Sequence, residues 1–483
     1  MRLRIVSHYL GFIAAILGTF MVIPLGWSLA RGEAATLAFA ISAAVTAGGG
    51  LLAWKLTPVR DARLGRREAV LIVVLGWLLA SAVSSLPYVL AGTFSSYEDA
   101  LFEAVSGFTT TGATVLTSIE GQMESVLVWR SLTQWLGGMG IITLFVALFP
   151  VFGIGAAHLV EAEMPGPQPE RLTPRMRDTA KAVWVLYAVF SLLELALLLG
   201  GGMSPFHALT VTFSTMPTGG FTGTEMSIAA FNSVYFEGVI TFFMLVAGVN
   251  FGLFYFIFWK RQARPLLTSP EFKVYLGTLL AAAVLVTVDL SSNTGLSIGQ
   301  AIRQSSFQVV STMTTTGFTT ADFGSWPTFT RAVLLALMII GASAGSTGGA
   351  LKVVRVVVLA KYTYNQLRRA FNPRAVLPLK LGGTVLPDQV VSRVIGMTVL
   401  YFVAIFAGFV LMSAFGLDQE TALSSVLATL GNVGPGLNLV GPAANYAFIP
   451  AAGKAVLMVC MLVGRLELFT VLVLIVPSFW RWR

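Results

Sequence analysis

The sequence predicts an all-α integral membrane protein of about ten transmembrane helices. Four M1–P–M2 pore-loop repeats with pseudo-four-fold symmetry follow two N-terminal helices. Three observations carry this expectation. Only 11 % of the 483 residues are charged and 56 % are hydrophobic, against about 25 % charged in a soluble domain. Apolar stretches of the ~20 residues that one helical crossing needs recur from Tyr9 to Ser478. A Gly-centred polar stretch returns four times at nearly constant spacing.

The apolar stretches place helices at about 9–30, 36–54, 69–92, 126–151, 181–202, 233–259, 274–292, 328–360, 394–415 and 446–478. Met1–Arg4 before an apolar segment imitates a signal peptide. That segment runs to about Ala30 with no clear small-residue cleavage site, so it reads as a first membrane helix. Charge then orients the chain. With the N-terminus in the cytoplasm, the inner segments hold every Lys and Arg except Arg31, Arg130, Arg303, Arg331, Lys454 and the intramembrane Arg465. This is the positive-inside bias. The basic clusters Lys55–Arg67, Lys260–Arg264 and Arg368–Arg374 become membrane anchors, so the net charge of +9 does not point to nucleic acid. Acids such as Glu98, Asp99, Glu120, Glu225, Asp322 and Glu420 fall outside, where they would concentrate cations.

Other chemistry is poorly represented. The single Cys460 excludes an intrachain disulfide or a Cys-based metal cluster, and His8, His158 and His207 share no ligand spacing. There is no phosphate loop and no Ser/His/Asp constellation. An enzyme or an ATP-driven pump is not expected, nor any cofactor.

The four polar stretches are Ser106–Thr114, Ser214–Thr222, Ser311–Thr320 and Ala428–Gly436. Aligned on one glycine they give Gly112, Gly219, Gly317 and Gly434, at intervals of 107, 98 and 117 residues. Each follows a segment too short to span lipid: Asp99–Phe108, Pro205–Met216, Ile298–Met313 and Glu420–Leu430. Ser204, ahead of a first-turn proline, and Ser297 read as N-caps. A half-length helix leading into Gly/Thr-rich backbone is a re-entrant pattern, tolerated at membrane depth only inside protein or beside water. Small residues also pack helices together, but four occurrences in register favour a pore. Rings of backbone carbonyls replace the hydration shell of a dehydrating K⁺, and glycine adopts the dihedrals that such a strand needs.

These motifs resemble the Trk/Ktr/HKT superfamily of K⁺ transporters, whose members fuse four M1–P–M2 units in one polypeptide. The resemblance covers about 69–478, and the helix pair at 9–54 is similar to Trk-type membrane subunits. It implies K⁺ bound by the filter backbone at Thr110, Thr111, Gly112, Pro217, Thr218, Gly219, Thr315, Thr316, Gly317, Asn432, Val433 and Gly434. In the family a serine at the first glycine is associated with Na⁺ permeation; glycine stands at all four positions here. Pro217 and Asn432-Val433 depart from Thr-Thr-Gly, so four-fold coordination is expected to be imperfect.

The segment Gly341–Gly349 holds Gly341, Gly345, Gly348 and Gly349 within a stretch that would be ~50 Å long as one helix. A break is expected there, and the resemblance implies a gate. Arg465 matches in position an arginine that the family places near the pore below the filter. A pair with Glu194 or indirectly with Glu467 is the other reading.

The implied organisation is 1–57 for the helix pair, then repeats at 69–160, 178–264, 272–372 (with the gating loop 341–349) and 390–483. The resemblance further implies channel-like K⁺ uptake driven by membrane potential. It also implies a homodimer in the bacterial inner membrane and a TrkA-like cytoplasmic nucleotide-binding ring as regulatory partner. The alternative is a K⁺ or Na⁺ symporter using alternating access, a class that prefers paired inverted repeats, whereas these repeats run in parallel.

Overall fold

The computed structural model describes residues 2–59, 65–148 and 176–481. His158, Arg60, Arg63, Arg171 and Arg175 lie outside the described residues, as do parts of the expected segments 126–151 and 69–160. The fold is helical. Six helices are long and apolar enough to cross a membrane: Leu3–Arg31, Thr36–Leu56, Arg67–Leu90, Ala182–Gly200, Pro270–Asn293 and Asp388–Ala414. Their outward faces are apolar, with Leu192, Val284, Phe402 and Phe406 exposed. In water such faces would be costly; against hydrocarbon they are not.

The two N-terminal helices pack backbone to backbone. A Cβ on Gly18 would lie 2.4 Å from Ala47 N, and one on Gly50 would lie 2.4 Å from Ala15 N. Without hydrophobic drive inside lipid, small residues that permit such approach are what hold helices together.

Three of the expected helices are interrupted, two of them expected as continuous. The segment expected over 233–259 breaks into Val234–Ala247 and Phe251–Phe258, bent by 96°. Asn250 supplies the reason: its side chain accepts from Gly252 N at 2.8 Å and starts a new helix. The expected 328–360 helix ends at Ile340 and restarts at Val353. The expected 446–478 helix runs only from Ala451 to Arg465, where Glu467 turns to φ +61°. By length and composition, six helices among the described residues could cross a membrane, or seven if the bent pair counts as one.

Four half-length helices occupy the interior: Tyr97–Phe108, Pro205–Thr215, Ile298–Met313 and Gln419–Leu430. Each is capped by a side chain that accepts from the third residue after it. Ser96 accepts from Asp99 N at 3.2 Å, Ser204 from His207 N at 3.3 Å, and Asp418 from Thr421 N at 3.1 Å. Ser297 and Gln300 complete a reciprocal capping box. At 1.5 Å per residue these helices reach roughly 16–24 Å, short of a ~30 Å hydrocarbon core. A small hairpin, Lys380–Leu381 against Thr384–Val385, lies in the connection before Asp388.

Candidate functional site

Each half-helix runs directly into its Gly-centred stretch, and the four stretches meet around one cavity lined by Gly112, Gly220, Gly317 and Gly434. Their contacts close a ring. A Cβ built on Gly112 would lie 2.2 Å from Gly219 O, and one on Gly220 would lie 2.0 Å from Thr316 O. One on Gly317 would lie 2.0 Å from Val433 O, and one on Gly434 2.6 Å from Thr111 O. The backbone signature is the same in all four. Thr110, Thr218, Thr315 and Asn432 have φ of +50°, +56°, +60° and +53°, and the glycine two residues later has φ between +80° and +98°. A β-branched residue with positive φ is a steric outlier, costing about 1–3 kcal/mol, and such strain gathers at functional sites. Here it recurs at threonine in three of the four stretches.

The ring corrects one alignment. In the second stretch the position of Gly112, Gly317 and Gly434 belongs to Gly220, and Gly219 takes that of Thr111, Thr316 and Val433. Pro217 accordingly falls beside Thr109 and Thr314, one residue below the strained threonine. Adjacent glycines made the register ambiguous. The Gly-Phe-Thr shared by Gly220–Thr222 and Gly317–Thr319 was the signal that resolves it.

The strands are braced differently. Thr109 and Thr111 hydroxyls lie 2.7 Å apart, and those of Thr314 and Thr316 2.8 Å apart, each lower threonine also bonding its helix. In the fourth strand Asn432 Nδ2 donates to Thr111 Oγ1 at 2.9 Å and to Met461 O at 3.0 Å, while Tyr446 OH donates to Gly434 O at 2.8 Å. The second strand leans on the helix Glu124–Leu148. Arg130 donates from Nη1 to Thr222 O at 3.0 Å and sits 3.5 Å from the centre of the Phe221 ring. Its Nε pairs with Glu103 at 2.5 Å, and Glu103 also accepts from Val115 N and the Thr114 hydroxyl. The pair is fully buried, so its charges are compensated only by each other and these bonds.

The five outer bases that broke the charge asymmetry in the sequence are all paired. Arg31 meets Glu124, Arg130 Glu103, Arg303 Glu237, Arg331 Glu420, and Lys454 Asp99, at 2.5–3.0 Å. Their exceptional placement was therefore a legible hint of structural ion pairs.

The segment between Ile340 and Val353 lies against the other ends of the strands. Thr347 Oγ1 donates to Met216 O at 3.0 Å, Gly349 N donates to Thr315 Oγ1 at 2.8 Å, and a Cβ on Gly349 would lie 2.4 Å from Gly431 O. Gly341 and Gly345 both have φ +71°, and a Cβ on Gly348 would lie 2.8 Å from Ala342 Cβ and 3.0 Å from Thr314 O. The bent helix pair holds the segment: Ser343 N and Thr347 N donate to Gly248 O and Ala247 O, and Phe251 N donates to Gly345 O. Glu271 accepts from Ala344 N at 2.6 Å. Arg465 completes the contact, donating to Thr347 O at 2.7 Å and to Gly137 O at 3.3 Å. Glu467 pairs instead with Arg355 at 2.5 Å, and no ion pair joins Arg465 to Glu194 among the described residues. The charge of Arg465 thus sits between the interrupted helix and the helix that backs Phe108.

Fold and site together define a multi-pass helical membrane protein in which four half-helices end in one Gly/Thr ring. The family model described as "TrkH: Cation transport protein" matches residues 33–482, and the chain belongs to that family. It is 37 % identical over 488 residues to the Trk system potassium uptake protein TrkH of Escherichia coli K12, covering all of both chains. It is 38 % identical over 486 residues to the protein of the same name from Halomonas elongata, again over the full length of both. The crystal structure of the potassium transporter TrkH from Vibrio parahaemolyticus matches with TM-score 0.91 at 35 % identity, over the whole of both chains. These relatives are named as transporters, not enzymes.

Proposed function

We propose that this chain takes up K⁺ through a channel-like pore whose filter is the ring at Thr110–Gly112, Thr218–Gly220, Thr315–Gly317 and Asn432–Gly434. The observation that carries the reading is the closed cycle of glycine-to-carbonyl contacts, first strand to second, third, fourth and back. Oxygen ligands arranged around an axis suit a dehydrating K⁺. Four half-helices direct their C-terminal ends to the same ring, and the negative end of the helix dipole favours a cation. The full-length relatives named as potassium uptake proteins point the same way.

On this reading the chain is four M1–P–M2 repeats, at about 69–160, 178–264, 272–372 and 390–483, after a helix pair at 1–57. The segment 341–349 is the gate and Arg465 its electrostatic lock, since a fixed cation beneath the filter repels K⁺. The chain sits in the bacterial inner membrane with its N-terminus in the cytoplasm and works as a homodimer. Each K⁺ entering down the potential gains about 2.3 kcal/mol per 100 mV. A nucleotide-binding ring on the cytoplasmic face controls opening through 361–393. Uptake of ⁸⁶Rb⁺ by liposomes holding the purified chain, competed with K⁺ and Na⁺, tests the transport reading.

A further inference from the structure

The second strand differs from the others at the residue before its ring glycine. Thr111, Thr316 and Val433 carry side chains there; Gly219 does not. Nor does backbone geometry demand glycine, because the left-handed φ belongs to Gly220 and Gly219 has none. The missing side chain's space is nevertheless full. A Cβ on Gly219 would lie 2.4 Å from Gln134 Cδ, 2.6 Å from its Oε1 and 2.8 Å from its Nε2. The Gln134 carboxamide, contributed by the helix Glu124–Leu148 and wholly buried, occupies the slot.

Its polar atoms are both used. Nε2 donates to Gly219 O at 2.6 Å and Oε1 accepts from Phe221 N at 3.1 Å. Gly219 O is the same oxygen that faces Gly112 in the ring. Among the described residues, no side chain donates to its counterparts Thr111 O, Thr316 O or Val433 O. One helical turn earlier, Arg130 donates to Thr222 O. The helix therefore lays two donors along the second strand, at 219 and 222. A carboxamide donates and accepts from one planar group, as this slot requires.

We propose that Gln134 is a positioning residue for ion selectivity: it stands in for the absent side chain at position 219 and fixes the Gly219 carbonyl in the ring. It touches backbone, not the ion. This rests on the filter reading above. Without the two bonds, the second strand loses the brace that threonine pairs give the first and third. Its carbonyl then turns more freely and discriminates less between K⁺ and the smaller Na⁺.

The test is ⁸⁶Rb⁺ uptake into liposomes by the full chain, competed separately with K⁺ and Na⁺. Gln134→Leu keeps the bulk and removes both hydrogen bonds. Its preference for K⁺ over Na⁺ should fall about fivefold, the equivalent of one ordinary hydrogen bond, with the protein still inserted in the membrane. The double variant Gln134→Ala/Gly219→Thr empties the slot and refills it with a side chain, as Thr111, Thr316 and Val433 fill it in the other strands, and should recover most of the preference. Gly219→Thr alone, which collides with Gln134, should not. Gly112→Ser is the control for the filter itself. If Gly112→Ser loses selectivity and Gln134→Leu does not, Gln134 is packing only and the proposal fails while the filter reading stands. If neither variant alters selectivity, the filter reading fails first. Should Gln134→Leu not reach the membrane, the double variant decides: near wild-type preference supports the stand-in role, and a fivefold loss overturns it.

Discussion

Gly112 faces the carbonyl oxygen of Gly219 so closely that a Cβ on Gly112 would come within 2.2 Å of it. Its φ is +82°, a region that side chains rarely adopt. Serine at 112 meets both obstacles, so the first strand must shift, and with it the ring. A strain of about 1–3 kcal/mol corresponds to at least about fivefold in relative binding. Gly112→Ser should therefore lower the K⁺/Na⁺ permeability ratio by that factor or more, with protein still in the membrane. An unchanged ratio would remove Gly112 from the filter.

Arg465 and Thr347 are joined by a 2.7 Å hydrogen bond that ties the interrupted helix to the one ending at Arg465. Replacing Arg465 with alanine removes both this bond and the cation. Deleting 345–348 removes the segment that presses on the lower ends of the strands. Either change should raise basal Rb⁺ flux severalfold, each hydrogen bond to a charged group being worth about 1.5–3 kcal/mol. If both variants fold and leak no more than the wild type, the barrier lies elsewhere.

Glu103 and Arg130 form a fully buried pair behind the first and second strands. Removing one partner strands the other's charge, which costs about 3–5 kcal/mol. Glu103→Gln and Arg130→Met should each lower the melting temperature of the detergent-purified protein. The double variant should be less destabilised than the sum, because it leaves no uncompensated charge. Strict additivity would show that the two side chains do not act as a pair.

Regulation by a partner predicts a surface on the cytoplasmic side. The helix Val353–Phe371 leaves the candidate gate and carries Arg368 and Arg369 in its last turn, and the hairpin at Lys380–Val385 follows it in the chain. Lys361 donates to Lys380 O at 2.8 Å, so the hairpin is fastened to that helix. A force applied at 361–393 would pass along the helix to 341–352. Copurification from native membranes should bring down a soluble nucleotide-binding protein, and ATP or NADH should then change flux. If the chain captures none and its flux ignores both nucleotides, the regulatory reading is wrong.

Much of this was legible in the sequence, and the reasons are local. Half-helix lengths and caps follow from serine or aspartate ahead of short amphipathic runs, as at Ser204 and Ser297. The interruption at 341–352 follows from closely spaced glycines. Two features were hidden because they depend on what a distant segment supplies. The bend at Gly248–Asn250 is set by an Asn side chain and by the 343–347 backbone that docks there. In an otherwise apolar run, neither glycine nor asparagine announces it. In sequence Gln134 is one polar residue in a helix, and the slot that gives it a role lies 85 residues away at Gly219. The register of the second strand is ambiguous for a different reason: two neighbouring glycines fit the motif equally, and only the following Phe-Thr separates them.

Whether the ring is a K⁺ filter is tested most directly by ⁸⁶Rb⁺ uptake into liposomes. With a negative interior potential and the wild-type chain, uptake should be abolished by unlabelled K⁺ at concentrations where Na⁺ competes weakly. It should also rise with the size of the potential. Uptake blocked equally by Na⁺ and K⁺, or absent while the protein is folded and inserted, would contradict the account.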